Sequence, residues 1–62
     1  MIRYRIEIAT SHSPADRRVR LVTAPTEQAA CRIALQRETA RLRRLLPNDS
    51  WEAQIVNVGT VA

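Results

Sequence analysis

The chain has no lysine, and it contains only one cysteine, one histidine and one glycine. With Cys31 as the only cysteine, an internal disulfide is excluded. One cysteine and one histidine also cannot supply the four ligands of a usual structural zinc site. With Gly59 as the only glycine, a glycine-rich phosphate-binding loop is excluded as well. We therefore expect no metal and no cofactor.

Long apolar runs are also missing from the sequence. No stretch approaches the ~20 apolar residues that a helix needs to span a bilayer. The first five residues contain no apolar segment of the kind that signal peptides have. These absences predict a cytoplasmic protein that does not bind membranes.

The size of the chain is informative about its stability. Its 62 residues predict one domain, 1–62, and the apolar fraction of 45% is normal for a globular protein. A chain this short buries only ~60% of the surface that it exposes when unfolded. A core of this size leaves about 3–5 kcal/mol of net stability. Because no disulfide or metal can add to it, we predict self-association as a homodimer.

The sequence offers no convincing catalytic group. Ser11, His12 and Ser13 are neighbours in a polar loop, which does not hold a nucleophile against a base. Cys31 falls on the apolar face of a predicted helix, where a free cysteine behaves as a small buried hydrophobic residue. We therefore predict that the chain is not an enzyme.

Alternating patterns predict two strands in the first third of the chain. Apolar and charged residues alternate strictly over residues 2–8, which is typical of a strand with one buried face. A polar loop, residues 10–16, precedes a second alternating segment, residues 18–23. We expect Val19 and Leu21 of this second strand to face the core. The two strands then form a hairpin with a long loop.

A helix is predicted after the hairpin. Thr26 or Thr23 can cap its first turn, and the helix should run to about Leu46 because Pro47 disfavours helical conformation in the residue before it. At 100° per residue, the apolar side chains gather on one broad face. That face comprises Ala30, Cys31, Ala34, Leu35, Leu42 and Leu45.

Glu38 lies near the centre of this apolar face. A carboxylate in such a place must be paired or must reach water. One interpretation is that the sheet covers only one side of this face and that Glu38 pairs with Arg41, three residues further along the helix. The other is a buried ion pair, formed across a dimer with an arginine of the open sheet surface, which makes Glu38 a candidate interface residue.

The last predicted strand changes its pattern midway. Trp51, Ala53 and Ile55 share one face, whereas Val56 and Val58 fall on the other. A bulge near Ile55–Val56, or a partner that covers the far face, would explain the change. Val56 and Val58 are therefore candidate interface residues too.

These elements predict an α+β fold of the form ββαβ. The second strand, the helix and the third strand should form a right-handed crossover with parallel strands. The third strand is then antiparallel to the first, and the strand order is 2-1-3. One helix covers one face of the sheet, and the other face stays open.

Arginine dominates the charge of the chain, since all ten basic residues are arginines and the net charge is +4. The planar guanidinium group suits recognition of phosphates and carboxylates. The alternative explanation is codon bias in a GC-rich genome, which the alanine content also fits. The candidate binding surface on the open sheet face consists of Arg3, Arg5, Arg18 and Arg20. A second basic surface on the outer helix consists of Arg32, Arg37, Arg43 and Arg44.

The aromatic residues weigh against one common mode of RNA binding. Sheets that bind single-stranded RNA use aromatic side chains to stack bases. The two aromatic residues here, Tyr4 and Trp51, are both expected to point into the core. Contact with phosphates alone, without base readout, remains open.

The order of strand, helix start, helix and strand along the chain resembles that of a known class of small proteins. The segment 22–30, followed by a helix, Pro47 and the segment 51–56, looks like a pattern common in small phage- and prophage-encoded proteins. Some anti-CRISPR proteins are built similarly, with a helix laid on a small antiparallel sheet. The resemblance covers the architecture of most of the chain. It implies an accessory protein that binds host machinery, and it assigns no functional residue.

Three functions follow as hypotheses. The first is a non-catalytic interaction module that binds a host protein or a ribonucleoprotein through an arginine-rich surface. The second is a nucleic-acid-binding protein that acts through phosphates, without sequence preference. The third is a small structural or assembly protein that only self-associates.

Overall fold

The computed structural model of the chain describes residues 1–11 and 15–61. His12 and Ser13, two of the three loop residues considered above as a catalytic group, lie outside these residues. The described residues form three strands and one helix, in the order ββαβ that the sequence predicts. These elements are β1 (Ile2–Thr10), β2 (Arg18–Ala24), α1 (Glu27–Leu45) and β3 (Ala53–Thr60).

The three strands form one sheet in the order β2-β1-β3. β1 is antiparallel to both of its neighbours, so the predicted order and directions are confirmed. The alternation in β1 buries Tyr4, Ile6 and Ile8 against the helix. The strand with the most regular apolar face is therefore the central one.

A bulge interrupts the pairing of β1 with β3. The register shifts opposite Glu7 and Ile8, which leaves Val56 as an extra residue in β3. The predicted bulge is thus confirmed. Its consequence was missed, because the extra residue restores Ile55 and Val58 to the same face, where both pack against the core. The expectation that Val58 lies on the far face is therefore wrong, whereas Val56 is exposed.

The helix begins and ends where its sequence signals indicate. Of the two threonines that can cap it, Thr26 does so, since its hydroxyl oxygen accepts a hydrogen bond from the Ala29 N–H at 3.2 Å. At the other end, Leu46 leaves the helical conformation before Pro47. The Leu46 N–H still donates to the Leu42 carbonyl at 2.7 Å.

Small residues bring the helix close to the sheet. Ala30 and Ala34 of α1 are fully buried, and Leu42 is the last buried residue of the helix. Leu45 was expected on the apolar face, but it is exposed because it lies in the last turn, beyond Leu42. Trp51 is only partly buried and lies outside the core cluster. The expectation of a core position for Trp51 is wrong because β3 begins only at Ala53, so the strand alternation does not reach Trp51.

Candidate interaction surfaces

The face of β2 that packs against the core is not the one that the sequence predicts. Val22 and Ala24 are 2% and 1% exposed, whereas Val19 and Leu21 are 45% and 49% exposed. The expectation that Val19 and Leu21 face the core is therefore wrong. Apolar residues occupy both faces of this strand, and pairing with β1 places Val22 beside the buried Tyr4. Strict alternation then turns the other face outward.

The same alternation divides the predicted cluster of four arginines. Arg3 and Arg5 lie on the open face of the sheet, as expected. Arg18 and Arg20 share the face of Val22, so they lie on the side that the helix covers. The expectation that all four lie together on the open face is wrong, because it assumed the other orientation of β2.

On the covered side, three arginines surround one buried carboxylate. Glu38 is fully buried. Arg41 Nη1 donates a hydrogen bond of 2.8 Å to Glu38 Oε1. The Nε atoms of Arg20 and Arg18 lie 3.5 and 3.7 Å from Glu38 Oε2. Among the described residues Oε2 accepts no hydrogen bond, so these two contacts are electrostatic. We call these four residues the Glu38 cluster.

The Glu38 cluster answers the question that the sequence raised. The pair with Arg41 forms as expected, but the expectation that the sheet covers only one side of Glu38 is wrong, since Glu38 is fully buried. The buried ion pair therefore forms, within one chain. The two further arginines come from β2, and sequence reasoning missed them because it assigned β2 the wrong orientation. Three positive charges meet one negative charge here, and the arginine side chains stay partly in water. Burial of the carboxylate is therefore compensated without a second copy of the chain.

Both outer strands of the sheet carry features that hinder edge-to-edge pairing. β2 directs the charged Arg18 and Arg20 inward, and β3 contains the bulge at Val56. Natural proteins use inward-pointing charges and bulges at sheet edges to prevent pairing with another sheet. A partner is therefore better accommodated on a face of this molecule than along a strand edge.

The open sheet face combines arginines with exposed aliphatic side chains. In the pairing of β1 with β2, Arg5 lies opposite Leu21 and Glu7 lies opposite Val19. Arg5 Nη1 donates to Glu7 Oε1 at 2.6 Å. The face therefore carries a small apolar patch beside positive charge. By the open sheet face we mean Arg3, Arg5, Glu7, Val19, Leu21, Thr23, Asn57 and Gly59.

A surface groove of about 590 Å³ adjoins this face where β1 ends. Its lining includes Ala9, Gln54, Val56 and Trp51. The groove thus combines the exposed bulge residue with a partly exposed indole ring. Tryptophan is enriched among the residues that dominate binding energy in protein interfaces. Val56, predicted as an interface residue, lies on this side of the molecule, whereas Val58 and Glu38 are directed into the protein.

The outer helix presents the second basic surface as the sequence predicts. All four of its arginines are exposed, and none forms an ion pair with another described residue. The other exposed residues between them include Gln36 and Ala40. This surface consists of Arg32, Arg37, Arg43 and Arg44.

Cys31 lies on the helix, partly buried. Burial raises the pKa of its thiol, and the nearby Glu27 carboxylate raises it further. A reactive cysteine needs the opposite conditions, an exposed site with positive charge that lowers the pKa. Cys31 is therefore suited to packing rather than to nucleophilic chemistry.

The described residues, 1–11 and 15–61, lack both a cluster of metal ligands and a membrane-spanning helix. They contain no group of three or more histidine, cysteine, aspartate or glutamate side chains placed to hold a metal ion. Their single helix is not apolar enough to cross a membrane.

Comparison with known proteins adds no assignment. No protein-family model, curated protein or solved structure matches the chain significantly.

Proposed function

We propose that the chain is a non-catalytic interaction module that binds an acidic protein surface through its open sheet face. The observation that carries the proposal is the orientation of β2, which exposes Val19 and Leu21. Exposed aliphatic side chains break the usual rule that apolar residues are buried, and natural proteins tend to break such rules at functional sites. The resemblance to small phage-encoded accessory proteins supports a host protein, alone or within a ribonucleoprotein, as the partner.

The composition of the open sheet face favours a protein ligand there over a nucleic acid. Only two of the four arginines expected on this face are present, and Arg5 is already paired with Glu7. Single-stranded nucleic acids bind to sheets mainly through stacking on aromatic rings, but the exposed side chains here are Val19 and Leu21. Protein interfaces have such apolar centres, and they are enriched in arginine.

Charge favours an acidic partner over a second copy of the chain. Each copy carries a net charge of +4, so two copies repel each other at long range. The open sheet face has two arginines against one glutamate, which an acidic surface complements. Self-association remains a second candidate, because burial of Val19 and Leu21 would add to a small core.

A titration with a defined probe tests the proposal. The probe is an acidic peptide of alternating glutamate and leucine, and poly-L-glutamate serves as a charge-only comparison. We expect the peptide to shift the NMR signals of Val19, Leu21 and Arg3, and poly-L-glutamate to bind more weakly. The double variant Arg3→Glu/Arg5→Glu should lose binding without a change in the Val22 signals. Arg18 is left unchanged because its substitution would disturb the Glu38 cluster.

Four outcomes would overturn this assignment. Peptide signals confined to other surfaces would remove the open sheet face as the site, and so would an absence of any shift at saturating peptide. A dimer in sedimentation equilibrium that Leu21→Gln dissociates would favour self-association instead. Binding of single-stranded RNA that Arg3→Glu/Arg5→Glu abolishes would assign the open sheet face to nucleic acid.

A further inference from the structure

The four arginines of the outer helix form two rows. At 100° per residue, Arg32 and Arg43 lie on one line along the helix, and Arg37 and Arg44 on another, roughly 120° around the axis. All four side chains are exposed. The rows therefore flank a strip of helix surface that faces away from the sheet.

The strip between the two rows is uncharged, and the partly buried Ile33 lies at its edge beside the Arg37 row. Gln36 and Ala40 lie in it, and both are exposed. The helix carries no acidic side chain there, because Glu27 belongs to the first turn and Glu38 is buried against the sheet. The outer half of the helix is thus positively charged without internal compensation.

The uncompensated charge has a cost in the free protein. Arg37 and Arg41 are four residues apart, and Arg41 and Arg44 are three apart, so like charges face each other along the helix. Among these three, only Arg41 has an acidic partner within the described residues. An external polyanion that neutralised Arg37 and Arg44 would relieve this repulsion.

We infer that the outer face of α1 binds double-stranded DNA. The major groove of B-form DNA admits an α-helix, with a phosphate backbone on each side. The two arginine rows would contact the phosphates of the two strands, which fixes the position of the helix. Gln36, at the centre of the strip, would face the base edges, where a glutamine side chain pairs with adenine.

The same observations disfavour other nucleic acids at this surface. The major groove of an RNA duplex is too narrow and deep to be read by side chains. A single strand is held largely by stacking on aromatic rings, and α1 contains none. The inference does not rest on the proposed protein partner, since the helix and the open sheet face lie on opposite sides of the molecule.

The test is a salt series with a labelled DNA duplex, followed by fluorescence anisotropy. Four phosphate contacts predict a slope of about −3.6 in log K against log salt, at about −0.9 for each contact. Arg37→Ala/Arg44→Ala should reduce the slope by about 1.8. The matched variant Arg3→Ala/Arg5→Ala should leave the slope unchanged. Circular dichroism of both variants should show the wild-type fold, because all four side chains are exposed.

Several results would overturn the inference. Undetectable binding at the lowest salt would do so, and so would a slope that the helix variant leaves unchanged. A slope reduced equally by both variants would mean that the helix is not a distinct site. Equal affinity for an RNA duplex of the same sequence would contradict docking in the DNA groove. A negative result for DNA binding would not count against the proposed protein partner of the open sheet face, because that proposal is tested separately with the acidic peptide.

Discussion

On the covered face of the sheet, arginines converge on a buried carboxylate, whereas on the open face they stand beside exposed aliphatic side chains. Arg18 and Arg20 face the helix, and Glu38 supplies the counter-charge for them. On the open face, Val19 and Leu21 are exposed to water. The surroundings of β2, and not its own pattern, therefore decide which of its faces is buried.

The largest expected effect comes from removing the buried counter-charge. Glu38→Gln leaves three partly exposed arginines around a neutral amide. Losing the charged partner of the Arg41 hydrogen bond costs about 2–3 kcal/mol. A chain of this size has a total stability of about 3–5 kcal/mol. We therefore expect Glu38→Gln to unfold at a much lower urea concentration than the wild type, as followed by circular dichroism.

The matched control for this substitution is Glu52→Gln. Glu52 is exposed, and surface substitutions usually change stability by less than about 0.5 kcal/mol. If both variants had the same unfolding midpoint as the wild type, Glu38 would carry no special role.

The next largest effect on stability is expected from one of two valines that lie on opposite faces of β2. Val22→Ala removes two buried carbon atoms from the core, which costs about 2 kcal/mol once the cavity is included. Val19→Ala should cost less than about 0.5 kcal/mol because that side chain is already half exposed. Urea unfolding of the two variants measures the difference. Equal losses would contradict the orientation of β2 described above.

A smaller difference in stability is expected between arginine substitutions on the covered and the open face of the sheet. Arg20→Ala removes one of the positive charges beside Glu38, and we expect a loss of about 1 kcal/mol because Arg18 and Arg41 remain. Arg3→Ala should change stability by less than about 0.5 kcal/mol. Differential scanning calorimetry of both variants tests this. A larger loss for Arg3→Ala than for Arg20→Ala would reverse the comparison.

The smallest expected effect is on the reactivity of the Cys31 thiol. The pKa of Cys31 is raised in the folded chain, so the thiol stays protonated to higher pH than in the unfolded chain. Because the thiolate is the nucleophile, alkylation by iodoacetamide should be slower in the native protein than in urea at the same mildly alkaline pH. The pH profile of the rate should also move upward on folding. Identical profiles in both states would contradict the raised pKa.

Much of the fold was predictable because its signals are local. The alternation over residues 2–8 predicted the central strand, and Thr26 and Pro47 marked the ends of the helix. The rule for crossovers then predicted the strand directions, and the most apolar strand was expected at the centre, which gave the strand order. The broken pattern at Ile55–Val56 predicted the bulge. Each of these depends on neighbours in sequence or on a general rule of chain topology.

The candidate surfaces were predictable only in part. The placement of Arg3 and Arg5 followed from the regular pattern of β1. The placement of Trp51 did not, because the start of β3 lies two residues further on. Val58 was misplaced because the effect of a bulge on later residues depends on where the extra residue falls in the pairing.

Periodicity, capping residues and composition were enough to predict the elements, their order and the positive charge. The orientation of β2 depends instead on contacts between elements that are distant in sequence. That strand has apolar side chains on both faces, so its own pattern does not discriminate between them. The choice depends on Tyr4 of β1 and Glu38 of α1, which pack against Val22 and Arg20 across the fold. Contacts between residues so far apart in sequence exist only once the helix lies on the sheet.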